Sequence, residues 1–480
     1  MTDVLDDRKK RLALYALCVG VLMIVLDTTI VIVALPSIAE TLHASAASLV
    51  WIVNLYTLTF GGFLLLSGRL GDLYGRRRLF LIGVVTFTLA SLACGLAPSE
   101  LPLLIARAIQ GLAGAIVTSV SLSLVSTLFP DPAERAKAMG IYGLVQAVGG
   151  STGELLGGVL TNAFGWHSIF LVNLPIGIAV AALCFVLLPQ DKGAQQRQRL
   201  DLTGAIVVTV GLTVLTAGVV RATDGGWASP LTLELLGSGA ILLWAFVIIE
   251  SRVSEPLMPL RLFRLRNFSA TNVLGAFWSA GQYAWFVISA LYLQRVLGYD
   301  PFWVGIAFVP SQVITATFYA GLAAKMVIRF GIREPLWIGL ILIAAGLALF
   351  ARAPVHGTFA LDVIPAMLLL GLGAGMASTP LLLAAMHDVP NTESGLASGV
   401  VNTSCMMGGA LGLAILSALA DARTRELLRA GVAATPALNG GYHLAFCSAA
   451  FLTALAAFLA AFLLHYPSKL TSPHPSAVSG

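Results

Sequence analysis

Charged side chains are scarce in this 480-residue chain: 11% of residues are Asp, Glu, Lys or Arg, against about 25% in soluble domains. With 58% of residues hydrophobic, no water-soluble fold could cover the apolar surface, so the chain is built for lipid. Cysteine is sparse too. Cys18, Cys94, Cys184, Cys405 and Cys447 each stand alone in an apolar stretch, without CxxC or Cys/His spacing, so neither a zinc site nor a disulfide framework is indicated. A GxxxxGK[ST] loop is missing, which removes ATP as an energy source. HExxH is missing as well, and the seven histidines are scattered, mostly at loops and helix ends, so an intramembrane enzyme lacks its metal or nucleophile constellation. The excess charge of +5 needs no nucleic acid to explain it, because Lys and Arg collect in short loops, as in membrane proteins.

What fills the chain is long apolar runs. A helix crosses a bilayer with about 20 apolar residues. By that measure fourteen segments span: 12–34, 49–67, 79–97, 102–127, 138–162, 168–188, 202–221, 231–250, 269–292, 302–324, 336–352, 360–386, 395–419 and 443–465. The N-terminal run Asp6-Asp7-Arg8-Lys9-Lys10-Arg11 enters the first of them with no convincing cleavage site, so it reads as a retained helix. Placing both termini in the cytoplasm puts 21 Lys and Arg inside and six outside, the latter including three in an outer loop 420–442, and this fixes the orientation. Segments seven and eight, flanked by the polar stretch 189–200 and the loop 251–268, read as a pair inserted between two bundles of six. The expected organisation is a bundle over 1–188, a linker with inserted helices over 189–268, a second bundle over 269–465, and a cytoplasmic tail over 466–480. A faint repeat supports this division: Gly68–Arg78 recurs, degenerate, in Lys325–Arg333, with Gly331 on Gly75, Phe330 on Tyr74 and Arg333 on Arg77.

The stretch GRLGDLYGRRR is the sharpest motif. Gly68, Gly71 and Gly75 permit a tight reversal between helices, Asp72 suits the positive end of a helix dipole, and Arg76, Arg77 and Arg78 suit anionic headgroups. A merely basic turn would explain the arginines alone. At this point the chain resembles the major facilitator superfamily, and within it the fourteen-helix drug:proton antiporters. Leu26-Asp27-Thr28-Thr29 with Ala34-Leu35-Pro36, Trp51 with Tyr56, and Arg107-Ala108-Ile109-Gln110-Gly111 carry the resemblance in the first half. Glu393-Ser394-Gly395-Leu396-Ala397-Ser398-Gly399 and Asn402-Thr403-Ser404 carry it in the second. The resemblance implies an all-α integral membrane protein of the major facilitator fold, two six-helix bundles plus two inserted helices. It also implies proton-coupled export from the inner membrane by alternating access. Gly68, Asp72, Gly75, Arg76 and Arg77 would then serve the switch between states. Two positions depart from the family pattern: Ile32 stands where Asn is usual, and Glu154 stands at the proline of the spaced glycines Gly140, Gly149, Gly153, Gly157 and Gly158.

Asp27, Arg107 and Glu154 are the ionisable residues deep in the first six segments. Each costs at least about 2.5–3.5 kcal/mol at a helix centre, so such residues face a cavity or each other. Counted from the outer helix ends at about 1.5 Å per residue, all three fall in one band about 8–12 Å deep. Asp27 is expected to be the proton carrier with Arg107 setting its proton affinity; the alternative for the two is a structural ion pair. Glu154 has two readings, a packing residue on the face of Gly150, Gly157 and Gly158 or a second proton or cation site. For substrate, Trp278, Gln282 and Trp285 on one face of segment nine suit lipophilic or cationic guests, and Asn54, Tyr56, Gln110 and Asn402 are further cavity candidates. No cofactor or metal is expected, the proton gradient supplies the energy, and the expected form is a monomer. An importer of sugars or peptides on the same scaffold is the nearest rival.

Overall fold

A computed structural model describes residues 7–189, 201–253, 256–390 and 393–464. The polar connection 190–200 and the tail 466–480 lie outside the described residues, as does the side chain of Asp72. The described residues contain helices and no strand, as a bilayer demands of an unclosed chain: every backbone N–H and C=O must be satisfied within its own segment.

The first half runs α1 (Asp7–Leu42), α2 (Ala46–Tyr74), α3 (Arg76–Gly95), α4 (Glu100–Leu128), α5 (Pro132–Phe164), α6 (His167–Leu171) and α7 (Asn173–Leu187). The inserted pair is α8 (Leu202–Gly225) and α9 (Pro230–Arg252). The second half runs α10 (Arg266–Tyr283), α11 (Ser289–Arg295), α12 (Pro301–Thr317), α13 (Ala323–Phe330), α14 (Arg333–Phe350), α15 (Ile364–Met386), α16 (Ser394–Arg429) and α17 (Ala434–Leu463). Each predicted segment falls on this helical framework. Among the described residues, 11 helices are long and apolar enough to cross a membrane. Polar caps set several starts: Ser45 Oγ takes the Ser48 N–H at 3.2 Å, Asp201 the Gly204 N–H at 2.8 Å, and Asp300 the Trp303 N–H at 3.0 Å.

Within the first half α1 packs on α5 and α7, and α4 on α2 and α3; within the second, α14 packs on α15 and α17, and α16 on α10 and α17. The halves meet along α5 against α12 and α2 against α16. The inserted helices pack chiefly on each other, and α8 also touches both α2 and α16.

Several segments differ in detail from the sequence reading. The sixth breaks at Val172, between α6 and α7. A π-helical turn over Ala284–Ile288 joins α10 to α11, and another over Phe318–Leu322, with Gly321 at φ 125°, joins α12 to α13. The outer loop expected over 420–442 is mostly helix, because α16 runs on to Arg429 and α17 begins at Ala434. Ion pairs on that extension, Arg425 to Asp421 at 3.2 Å and Arg423 to Glu426 at 2.7 Å, support the extra turns. The expected glycine-rich reversal over 68–78 is likewise helical up to Tyr74, leaving Gly75 alone to turn the chain at φ 93°. Gly71 instead packs helix on helix: a Cβ there would stand 3.0 Å from Val120.

The faint repeat has a structural counterpart. Gly75 and Gly331 are both left-handed, at φ 93° and 81°, and both separate two helices. Beyond them, Arg77 donates to the carbonyl of Phe185 near the end of α7, and Arg333 donates to the carbonyl of Ala461 near the end of α17. Each arginine thus satisfies an orphan carbonyl at the C-terminus of the last helix of its own half.

Candidate functional site

The candidate site grows from one buried carboxylate. Asp27 lies in α1 with no solvent exposure, and Arg107 of α4 is 1% exposed. Arg107 Nη1 donates to Asp27 Oδ2 at 2.5 Å and to Gln110 Oε1 at 2.8 Å, and its Nε donates to the Ile52 carbonyl at 3.2 Å. The guanidinium lies 4.3 Å from the centre of the Tyr56 ring and 5.7 Å from that of Phe170. Two aromatic rings and three acceptors therefore replace the water that the cation lost.

The other carboxylate oxygen is served by amides. Gln110 Nε2 donates to Asp27 Oδ1 at 2.9 Å and Asn173 Nδ2 donates to it at 3.0 Å. Ser91 of α3 knits the amides together, accepting from Gln110 at 3.1 Å and from Asn173 at 2.9 Å while donating to the Phe170 carbonyl at 2.9 Å. The break at Val172 sets Asn173 at the start of α7. Four helices thus converge on one carboxylate with both oxygens occupied, which is what a buried charge requires. Ser91 and Asn173 were missed in the sequence because depth was measured only for ionisable groups. Asn173 is the lone amide in segment 168–188, five residues from its N-terminal end, and falls in the same band as Asp27.

The structure separates the remaining candidates. Glu154 does not join Asp27. It is fully buried on the side of α5 facing α12, where its Oε1 accepts from Gln312 Nε2 at 3.2 Å and its Oε2 has no partner. The glycines expected to share its face divide between two neighbours: a Cβ on Gly157 would stand 2.5 Å from the Ile30 carbonyl of α1, and one on Gly158 would stand 2.4 Å from the Pro301 carbonyl of α12. Tyr56 and Gln110 belong to the Asp27 network. Asn54 Nδ2 donates to the Ala410 carbonyl of α16 at 3.0 Å, a clasp between the halves, and Thr57 shares a 3.4 Å hydrogen bond with Tyr283 across the same seam. Trp285 is buried, stacked 4.6 Å from Phe286, with its N–H on Met367 Sδ at 3.3 Å. Trp278 is buried with its Nε1 unpartnered. Gln282 is half-buried and Asn402 is exposed. A cavity of about 470 Å³ lies elsewhere, between the C-terminal ends of α1 and α11 and the N-terminal end of α12, lined by Glu40, Gln294, Arg295 and Tyr299 among others.

The family description of the Major Facilitator Superfamily matches residues 17–413. The puromycin resistance protein pur8 of Streptomyces alboniger is 36% identical over 95% of this chain and 91% of its own length. The cephamycin export protein CmcT of Amycolatopsis lactamdurans is 38% identical over 84% of each chain. The tetracenomycin C resistance and export protein of Streptomyces glaucescens is 32% identical over 86% of this chain and 76% of its own length. Among solved structures, a bacterial homologue of the human lysosomal transporter Spinster, inward-facing and unoccupied, superimposes with a TM-score of 0.67 at 18% identity, covering 96% of this chain and 98% of that one.

Proposed function

This chain belongs to the major facilitator superfamily, and we propose that it exports a small lipophilic or cationic molecule in exchange for protons. It is a multi-pass membrane protein, and its family transports solutes. Three relatives named for antibiotic resistance or export, similar over most of the chain, support the direction. The observation that carries the mechanism is Asp27: a carboxylate buried at the junction of α1, α3, α4 and α7, held by one arginine and two amides.

The proposed cycle is alternating access between halves 1–188 and 269–465, with the pair 189–268 inserted and a tail over 466–480. Fourteen spans, cytoplasmic termini, an inner-membrane location and a monomer complete the proposal. Asp27 takes up a proton from the outside and gives it up inside. While Asp27 carries the proton, Arg107 keeps Gln110 Oε1, the Ile52 carbonyl and the two rings, contacts it already makes. Gly68, Asp72, Gly75, Arg76 and Arg77 act in the switch, and Asn54, Tyr56, Gln110, Trp278, Gln282, Trp285 and Asn402 are the substrate candidates. One charge moved across 100 mV supplies about 2.3 kcal/mol, and one pH unit about 1.36 kcal/mol. Together they sustain a several-hundred-fold gradient at about 1.4 kcal/mol per tenfold.

The test is transport of puromycin and ethidium by the purified protein in proteoliposomes with an imposed pH gradient. Accumulation of the probe on the acidic side, collapsing when the gradient is dissipated, is expected. Movement down the proton gradient together with the proton would instead mark an importer.

A further inference from the structure

Glu154 stands at a close contact between the two halves. A Cβ on Gly305 of α12 would be 2.8 Å from the Glu154 carbonyl oxygen, and one on Gly158 would be 2.4 Å from the carbonyl of Pro301, so the backbones of α5 and α12 meet there with no side chain between them. In that contact the carboxyl of Glu154 has one amide hydrogen bond from the opposite half and one unpartnered oxygen. Among the described residues no cation pairs with it. The residues of α12 include no titratable side chain, and the next one on that column is Tyr319, in the π-helical turn. From α1, the neighbouring titratable group is Asp27, whose oxygens are engaged by Arg107, Gln110 and Asn173.

Resting on the alternating-access reading above, we infer that Glu154 and Gln312 form a second proton-binding site on the seam between the halves, which binds a proton when α5 closes on α12 and releases it when they part. Closed, an ionised Glu154 would be a buried charge with a single neutral donor, far costlier than the neutral acid. Parted, the same carboxyl meets water and ionises freely. Proton binding and closure are therefore linked, and acidification favours the closed seam. The site differs in kind from the Asp27 network, where a cation from the same half stands against the carboxylate. It also explains how an acid can occupy a position that similar antiporters give to proline: the acid serves the contact itself.

The test places spin labels at Asn162, exposed at the outer end of α5, and at Trp303, exposed at the outer end of α12. Their separation is measured by pulsed electron resonance in lipid nanodiscs across pH, with protons as the sole ligand. In the otherwise wild-type protein the ratio of short to long distances should rise as pH falls, by up to about tenfold per pH unit, the limit for one linked proton. Glu154→Gln, an isosteric mimic of the neutral acid, should show the low-pH ratio of short to long distances at every pH. Asp27→Asn should keep the wild-type seam response even where it abolishes driven transport, which separates this proposal from the proton-carrier reading. A pH response that survives in Glu154→Gln, one that disappears in Asp27→Asn, or the lack of any response in the wild-type background would each overturn it.

Discussion

Asp27 and Glu154 lie at similar depth on neighbouring helices, and both are fully buried, yet the fold surrounds them differently. Asp27 has a guanidinium on one oxygen and two amides on the other, all from its own half of the molecule. Glu154 has one amide, from the opposite half, and an empty oxygen. The first arrangement holds an ion in place. The second tolerates a neutral acid and depends on the two halves staying together. Depth in the membrane therefore says that an acid must have a reason, while the source of its partners says which reason.

The sharpest way to break this contrast is Asp27→Asn. Proton-driven transport should be lost, since the titratable group is gone. Stability should also fall by as much as about 3–5 kcal/mol, because Arg107 is left as an uncompensated buried cation; the readouts are driven efflux and the melting temperature in detergent. Adding Arg107→Met to that variant should recover most of the stability and none of the transport, since a buried pair replaced on both sides is close to neutral. A double variant as unstable as the single one would show that the ion pair is not the source of the cost. Asn173→Ala should cost about 1–3 kcal/mol, the range for a buried acceptor and hydroxyl left short of a donor. It should also shift the pH at which transport is half-maximal, because Asp27 Oδ1 loses one of its two amides. The smallest effect belongs to Glu154→Gln: stability within about 1 kcal/mol of wild type, as an amide replaces a neutral acid in most hydrogen bonds, with a changed pH profile of transport. Wild-type profiles for both a cationic and a neutral probe would return Glu154 to the packing reading.

Much of this was legible in the sequence because the physics of a bilayer is written in runs of residues. Helix positions follow from apolar length, and the pairing of Gly75 with Gly331 was visible in a degenerate repeat whose arginines, Arg77 and Arg333, bond equivalent carbonyls. Shared depth made an Asp27–Arg107 pairing possible, and the structure shows it. Shared depth put Glu154 in the same band without saying which helix it faces, because depth carries no information about azimuth. Gly157 and Gly158 are adjacent in sequence yet contact different helices, and the register of α5 against α1 and α12 decides which way Glu154 points. The glycine stretch 68–78 was read as a loop because glycine permits both a turn and a close helix contact; only Gly75 uses the first. Trp278 and Trp285 were placed on one face by a 3.6-residue period, which the π-helical turn over Ala284–Ile288 interrupts.

The most direct test of the central claim, that Asp27 is the group through which protons drive export, compares two modes of transport in one variant. Proteoliposomes containing Asp27→Asn, or the stabilised Asp27→Asn/Arg107→Met, are loaded with unlabelled puromycin and assayed for exchange against labelled puromycin at equal pH, then for accumulation under an imposed pH gradient. Exchange should persist and gradient-driven accumulation should be lost, because the seam can still open and close around substrate while nothing titrates at position 27. Accumulation at the wild-type rate in the variant would contradict the account.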